Sequence, residues 1–204
     1  MTHSIFYKFF YYFSIIFDAY VLGDFIMGIF HWFKDTYFGP YTPIIGRSLI
    51  WNSRLHHIKP RYVIEFSNKD LFISSAKWTL LWMGPLLLLT RFNIFWTALF
   101  LTISMNDVVH KYAHMLDHER PKLATILQKL YITQSYDEHH LHHISPHEIN
   151  YCPVTPYLNP ILEKVNFWRG LEYIIEKSIS VKPRTNQPAH IDNDKYPGGI
   201  KFIV

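Results

Sequence analysis

The chain opens with a long apolar and aromatic stretch, Ile5 to Phe33, broken mainly by Lys8, Asp18 and Asp24. Two more apolar runs follow: Leu71 to Thr90, which contains WTLLWMGPLLLLT, and Ile94 to Val109, IFWTALFLTISMNDVV. As a helix the second run is about 30 Å long, close to the hydrocarbon thickness of a bilayer. The third is about 24 Å long, short unless its helix continues into His110–His114. Only Arg91-Phe92-Asn93 separates them, so the pattern predicts an antiparallel helical hairpin. Three buried helices of a soluble core would show similar runs. Against that, Lys77 is the sole charge between Leu71 and Thr90 and lies in the first two turns, where it can snorkel. Trp and Tyr also gather near segment ends, Tyr20 excepted. The first stretch is either one span or two short or re-entrant pieces.

Charge orients these segments. Lys34, Arg47, Arg54, Lys59, Arg61 and Lys69 follow the first, and Lys111, Arg120, Lys122 and Lys129 follow the third. The hairpin tip offers only Arg91. The positive-inside rule then puts both flanks in the cytoplasm and the tip on the far side. No cleavable signal peptide is expected, because Asp18 interrupts the apolar run and no small-residue cleavage site follows it. Beyond the spans, Leu123, Ile126, Leu127, Leu130 and Tyr131 follow helical spacing, with Pro121 opening the stretch and Lys122 and Lys129 on its polar side. This reads as an amphipathic helix lying on the membrane, or as one that caps a core. Ile161 to Lys177 is a weaker second case, with Ile161, Val165, Trp168 and Leu171 on one side. The expected fold is all-α, with about three to four membrane spans and interfacial helices. One domain covers residues 1–184, and the Pro-, Asn-, Asp- and Gly-rich tail at 185–204 is expected to be loosely ordered.

Composition agrees. Apolar residues make up 49% of the 204, and aromatic and charged residues 18% each, which excludes a disordered chain, a coiled coil and a collagen-like repeat. The single cysteine, Cys152, excludes an internal disulfide framework and a Cys-rich zinc site. The net charge of +4 could suit a nucleic acid, but the apolar runs account for it better, so no nucleic-acid partner is expected.

The unusual feature is 13 histidines, ten of them in tight clusters. His31 ends the first stretch, and His56-His57 follow it. His110 and His114 end the third, and His139, His140, His142, His143 and His147 come after the surface helix. Because a hairpin returns the chain to the side it left, all ten fall at one membrane face. His110 and His114 share a helix face. Asp107, three residues before His110, is placed to orient a ligand ring. Asp24 lies seven residues before His31, two turns along the same face, and is a second candidate for that orienting role. An acid inside a span is a functional candidate or the hydrogen-bonding partner of another helix. Clustered neutral imidazoles suit iron, zinc, copper or nickel, and so many ligands imply two ions. A pH-sensing or merely solvated surface is the alternative. Glu-x-x-His pairs of the soluble di-iron bundles do not occur, nor does a zinc-protease motif. A metal transporter would place ligands mid-span, where the second and third segments carry none.

The motifs GDFIMGIFHWFKDTY (Gly23–Tyr37), PIIG (Pro43–Gly46), His56-His57, HKYAH (His110–His114), HHLHHISPHEINYC (His139–Cys152) and LEKVNFWRGLE (Leu162–Glu172) stand in this order. Together they resemble a narrow family of membrane lipid desaturases that contains plasmanylethanolamine desaturase and the plant plastid trans-fatty-acid desaturase. The resemblance runs from about Tyr20 to Arg184. It implies a non-haem di-iron enzyme that uses O2 and external electrons to remove two hydrogens from a lipid chain. The ligands it implies are His31, His56, His57, His110, His114, His139, His142 and His143. His147, in the SPHE stretch, is a ninth candidate ligand and catalytic residue, and it matches the vinyl-ether-forming branch that makes plasmalogens from 1-O-alkyl phospholipid. Asn150-Tyr151-Cys152 looks more like the plastid, acyl-lipid branch. His140 does not fit the ligand spacing, His118 has no counterpart, and His3 and His190 lie in the termini. The resemblance further implies a phospholipid substrate, cytochrome b5 as electron donor, and an endoplasmic reticulum membrane in a eukaryotic host. Lys34, Arg47, Arg54, Lys59 and Arg61 could dock the donor, though membrane topology alone also explains them. A lipid hydroxylase and a metal-transporting membrane protein are the rival readings.

Overall fold

The computed structural model describes residues 2–184, with side chains from Ile5 onward. The tail expected at 185–204 lies outside the described residues. Among the described residues all regular structure is helical.

The first apolar stretch is a single helix, α1, Thr2–Tyr37, so it does not divide into two pieces. At its C-terminus the orphan carbonyls are met by a buried guanidinium. Nη2 of Arg54 donates to the carbonyls of Lys34, at 3.3 Å, and Asp35, at 2.9 Å, and also to that of Phe38. Arg54 sits on α2, Trp51–Ile58, so the cap also ties α2 to the end of α1.

The predicted hairpin is present. α3, Asn68–Thr90, is capped by Ser67, and α4, Ile94–Ala113, is capped by the Asn93 side chain. α4 extends past Val109, which carries His110 onto its last turn. α4 also packs beside α1. A Cβ on Gly23 would lie 2.7 Å from Cγ2 of Thr102, so glycine is what lets these two helices approach. Ala19, Met83, Leu99 and Ile103 fill the seam between α1, α3 and α4. Two segments, Ile5–Tyr37 of α1 and the whole of α3, are long and apolar enough to cross a membrane. α4 is the return arm of the hairpin, and its last turns hold Asn106, Asp107, His110 and Lys111. Phe6, Phe9, Phe10, Leu81, Leu88 and Leu89 are exposed, as membrane-facing side chains should be.

The remaining helices are short: α5, Lys122–Lys129; α6, Tyr136–His140; α7, Leu158–Lys164; and α8, Phe167–Ile179. α5 turns Leu123, Ile126 and Leu130 outward and buries Ala124 and Gln128, so its apolar stripe does not cap a core. The stretch Ile161 to Lys177 is not one helix. It breaks at Asn166, which adopts a left-handed conformation (φ 53°), and the break separates the expected stripe. Ile161 and Val165 are exposed, whereas Trp168 is buried beside Trp32, Tyr151, Cys152 and Leu162. This second core fastens the segment 151–155 to α1. Asp24, wholly buried on α1, accepts hydrogen bonds from Val154 N at 2.8 Å, Thr155 N at 2.9 Å and Thr155 Oγ1 at 2.6 Å.

Candidate metal centre

The histidines reach the same end of the bundle from four parts of the chain. His31 lies near the C-terminus of α1, His56 and His57 end α2, and His110 and His114 close α4. His139 is on α6, whose start is fixed by a capping box between Ser135 and Glu138, and His142 and His143 lie in the tight turn that follows.

The side chains form two adjoining groups. In the first, His56, His110, His114, His139 and His143 bring their ligand atoms within 4.8 Å of one another. Nε2 of His110 is 2.8 Å from Nε2 of His139, and Nε2 of His143 is 3.1 Å from the same atom. In the second, His31, Asp35, His57 and His142 do the same. Oδ2 of Asp35 lies 2.9 Å from Nε2 of His57, 3.2 Å from Nε2 of His31 and 3.5 Å from Nε2 of His142. The groups abut, with the His57 and His143 rings 5.2 Å apart between centroids.

Hydrogen bonds set the outer nitrogens. His31 Nδ1 donates to the Tyr151 carbonyl at 3.0 Å, and His142 Nδ1 donates to the Ile149 carbonyl at 2.7 Å. A carbonyl only accepts, so both rings carry their proton on Nδ1 and turn a bare Nε2 inward. His139 Nδ1 is 3.0 Å from Oε1 of Gln134. Burial and then the neighbouring imidazoles hold His56 and His139 well below the usual histidine range. Burial is also the main cause that lowers His57 and His114 to about 3 each. These rings are therefore neutral, the form that binds metal. His56 Nε2, His57 Nδ1, His142 Nε2 and His143 Nδ1 are buried with no hydrogen-bond partner. Buried polar atoms left over in this number, on rings that each offer a ligand atom within 4.8 Å of the others in its group, fit the requirements of metal ions.

His147 stands beside the centre but in neither group. Its Nδ1 donates to the His142 carbonyl at 3.1 Å, and its ring is 5.0 Å from that of His57. His140 is exposed and stacks on Tyr136, and His118 is exposed. His190 lies outside the described residues, and His3 precedes the described side chains. Asp24 and Asp107, expected to orient ligand rings, bond elsewhere. Asp24 lies about 10 Å along the axis from His31 and receives the segment 154–155. Asp107 faces α3, where Ser75 Oγ donates to it at 2.6 Å, and it also accepts from Asn106 Nδ2 at 2.9 Å. Backbone carbonyls and Gln134 take the orienting role instead. Asp35 was not singled out from the sequence, although its place four residues after His31 puts it on the same helix face.

The basic residues after α1 do not form one open patch. Arg54 is buried, and Arg61 grips Glu119 through both guanidinium nitrogens, at 2.6 and 3.1 Å.

No solved structure matches this chain. Sequence relatives do. A probable fatty acid desaturase of Acanthamoeba polyphaga mimivirus is 60% identical over 185 residues, covering 91% of this chain and 92% of the relative. Plasmanylethanolamine desaturase 1 of Mus musculus is 29% identical over 181 residues, 81% of this chain and 65% of that protein. A chloroplastic fatty acid desaturase 4-like protein of Arabidopsis thaliana is 29% identical over 174 residues, 83% of this chain and 59% of its own length. The chain thus spans nearly all of the viral relative and under two thirds of the other two. The lipid desaturase domain matches residues 20–186, a range that holds every residue of both groups. The chain belongs to the lipid desaturase domain family and is a membrane-associated desaturase, an oxidoreductase of lipids.

Proposed function

We propose that this enzyme is a di-iron desaturase that forms the vinyl ether bond of plasmalogens from 1-O-alkyl phospholipid, using O2 and electrons from a cytochrome b5-type donor. One observation carries the reading: eight imidazoles and one carboxylate from four separate parts of the chain converge into two adjoining groups. His31, Asp35, His57 and His142 would hold one iron, and His56, His110, His114, His139 and His143 the other. Iron bound there would supply the O2 activation and hydrogen removal that no side-chain base can achieve at an unactivated C–H bond.

The chain's own contribution is positional. The carbonyls of Tyr151 and Ile149 hold His31 and His142 with Nε2 inward. Burial keeps the imidazoles neutral and ready to bind metal. Asp35 supplies the one negative charge among the nine side chains. His147, bonded to the backbone of His142, buttresses the second group. The lipid tail would lie along the apolar surface of α1 and α3, with one carbon pair beside the centre. Its headgroup would stay at the cytoplasmic face near Lys34 and Lys59, in the endoplasmic reticulum membrane of a eukaryotic host.

The test is lipid mass spectrometry of plasmalogen-deficient cells expressing this chain, with iron counted in the purified protein. Acid-labile vinyl ethers and two irons per chain are expected. The viral relative, 60% identical, is named a probable fatty acid desaturase, which favours a second reading as an acyl-lipid desaturase. The same experiment would then reveal a new trans acyl double bond. A hydroxylated lipid without a new double bond, or metal uptake into vesicles without O2, would defeat both readings.

A further inference from the structure

We propose that Gln134 is a positioning residue that fixes the proton of His139 on Nδ1 and so aims its bare Nε2 into the five-imidazole group. This rests on the reading of that group as a metal site. Gln134 is 1% exposed and lies between α5 and α6. Its backbone N–H donates to the Val154 carbonyl at 2.7 Å, and its own carbonyl accepts from Gln128 Nε2 at 3.0 Å. The side chain therefore departs from a fixed point.

Its amide then has two partners of fixed sense. The Cys152 carbonyl, 3.2 Å from Nε2, only accepts, so it must face the NH2 end. That leaves Oε1 facing His139 Nδ1 at 3.0 Å. An amide oxygen also only accepts, so Nδ1 must carry the imidazole proton. Nε2 of His139 is left as a lone pair, 2.8 Å from Nε2 of His110 and 3.1 Å from Nε2 of His143. His31 and His142 are set in the same sense, but by backbone carbonyls that no substitution removes. Of these three rings, His139 is the one held by a side chain, so its orientation can be changed separately.

Co(II) titration of metal-stripped full-length protein in detergent, followed by visible absorption, tests this. Wild type is expected to take up two equivalents. Gln134→Met keeps the length of the side chain and removes the acceptor. It is expected to weaken one equivalent 10–100-fold and alter its absorption band, leaving the other equivalent unchanged. Gln134→Glu gives up the donor to the Cys152 carbonyl just as the Met variant does, but it returns an acceptor to Nδ1, so it is expected to restore the absorption band and to bind that equivalent more tightly than the Met variant. If Gln134 merely anchored the segment 151–155, both equivalents would weaken together, because Tyr151 holds His31 of the other group. That outcome, unchanged affinity in the Met variant, or failure of the Glu variant to restore the band overturns the proposal. Should circular dichroism show that the Met variant does not fold, the Glu variant decides alone by its bands. A wild-type protein that binds no Co(II) overturns the two-metal reading and this proposal with it.

Discussion

Oδ2 of Asp35 lies 2.9 Å from Nε2 of His57, and this contact joins the end of α1 to the end of α2. The carboxylate is also within 3.5 Å of His31 and His142, so three imidazoles from three parts of the chain face one oxygen. Asp35→Asn keeps the shape and removes the charge. It is expected to lower metal affinity of that group by at least about 10-fold and to leave roughly one iron per chain. Elemental analysis of the purified variant checks this, and a variant retaining full iron and activity would remove Asp35 from the centre.

Asp24 acts at a distance. Its carboxylate accepts from the backbone N–H groups of Val154 and Thr155 and from the Thr155 hydroxyl, all buried. The held segment carries the Tyr151 carbonyl that orients His31 and the Cys152 carbonyl that meets Gln134. Asp24→Ala strands these donors. At about 1–3 kcal/mol for each unsatisfied buried group, a loss of about 3 kcal/mol or more is expected. Asp24→Asn retains one acceptor and should lose less. Thermal unfolding in detergent ranks the variants, and iron content should fall in the same order.

Gly28 faces Cys152 across the same seam. A Cβ there would lie 2.5 Å from Cys152 Sγ and 3.3 Å from its Cα. Gly28→Ala is therefore expected to destabilise by about 1–3 kcal/mol through overpacking. Cys152→Ala removes the sulfur and should recover part of that loss, the remainder reflecting the backbone contact. A double-mutant cycle by chemical denaturation measures this coupling, and strictly additive effects would contradict the contact.

The histidines were legible because helical periodicity and a hairpin act on any sequence. A four-residue spacing puts His110 and His114 on one face, and a three-residue joint returns α4 to the end from which α3 left. Spacing names a face but not the neighbour that packs against it. Asp24 and Asp107 lie on the helices that carry histidines, yet they turn to the segment 154–155 and to Ser75. Asp35 was hidden for a related reason: its spacing from His31 names a shared helix face, but nothing in the sequence says that His57 and His142 pack against that face. Gln134 was hidden more deeply. Its role depends on Cys152 and His139, residues that only the folded chain brings to its two ends. The break at Asn166 was missed because the apolar spacing of Ile161, Val165 and Trp168 continues across it.

Removing the metal should make the protein acid-sensitive. Burial lowers His57 and His114 from the ordinary histidine value of 6.5 to about 3 in the folded chain. On unfolding, both rings regain their ordinary affinity for protons, so the unfolded state binds more protons between these values. Stability is then fully present above about pH 6.5 and is lost as pH falls toward 3, because only the unfolded chain takes up protons at these rings in that window. Bound metal occupies the nitrogens that would take those protons, and it stabilises the folded state by mass action. The loaded protein should therefore hold its unfolding midpoint to a lower pH than the stripped one. Denaturation midpoints measured for both forms from about pH 7.5 to pH 4.5 compare the two curves. A stripped protein with a flat profile across that window would mean that these rings are not buried as neutral groups.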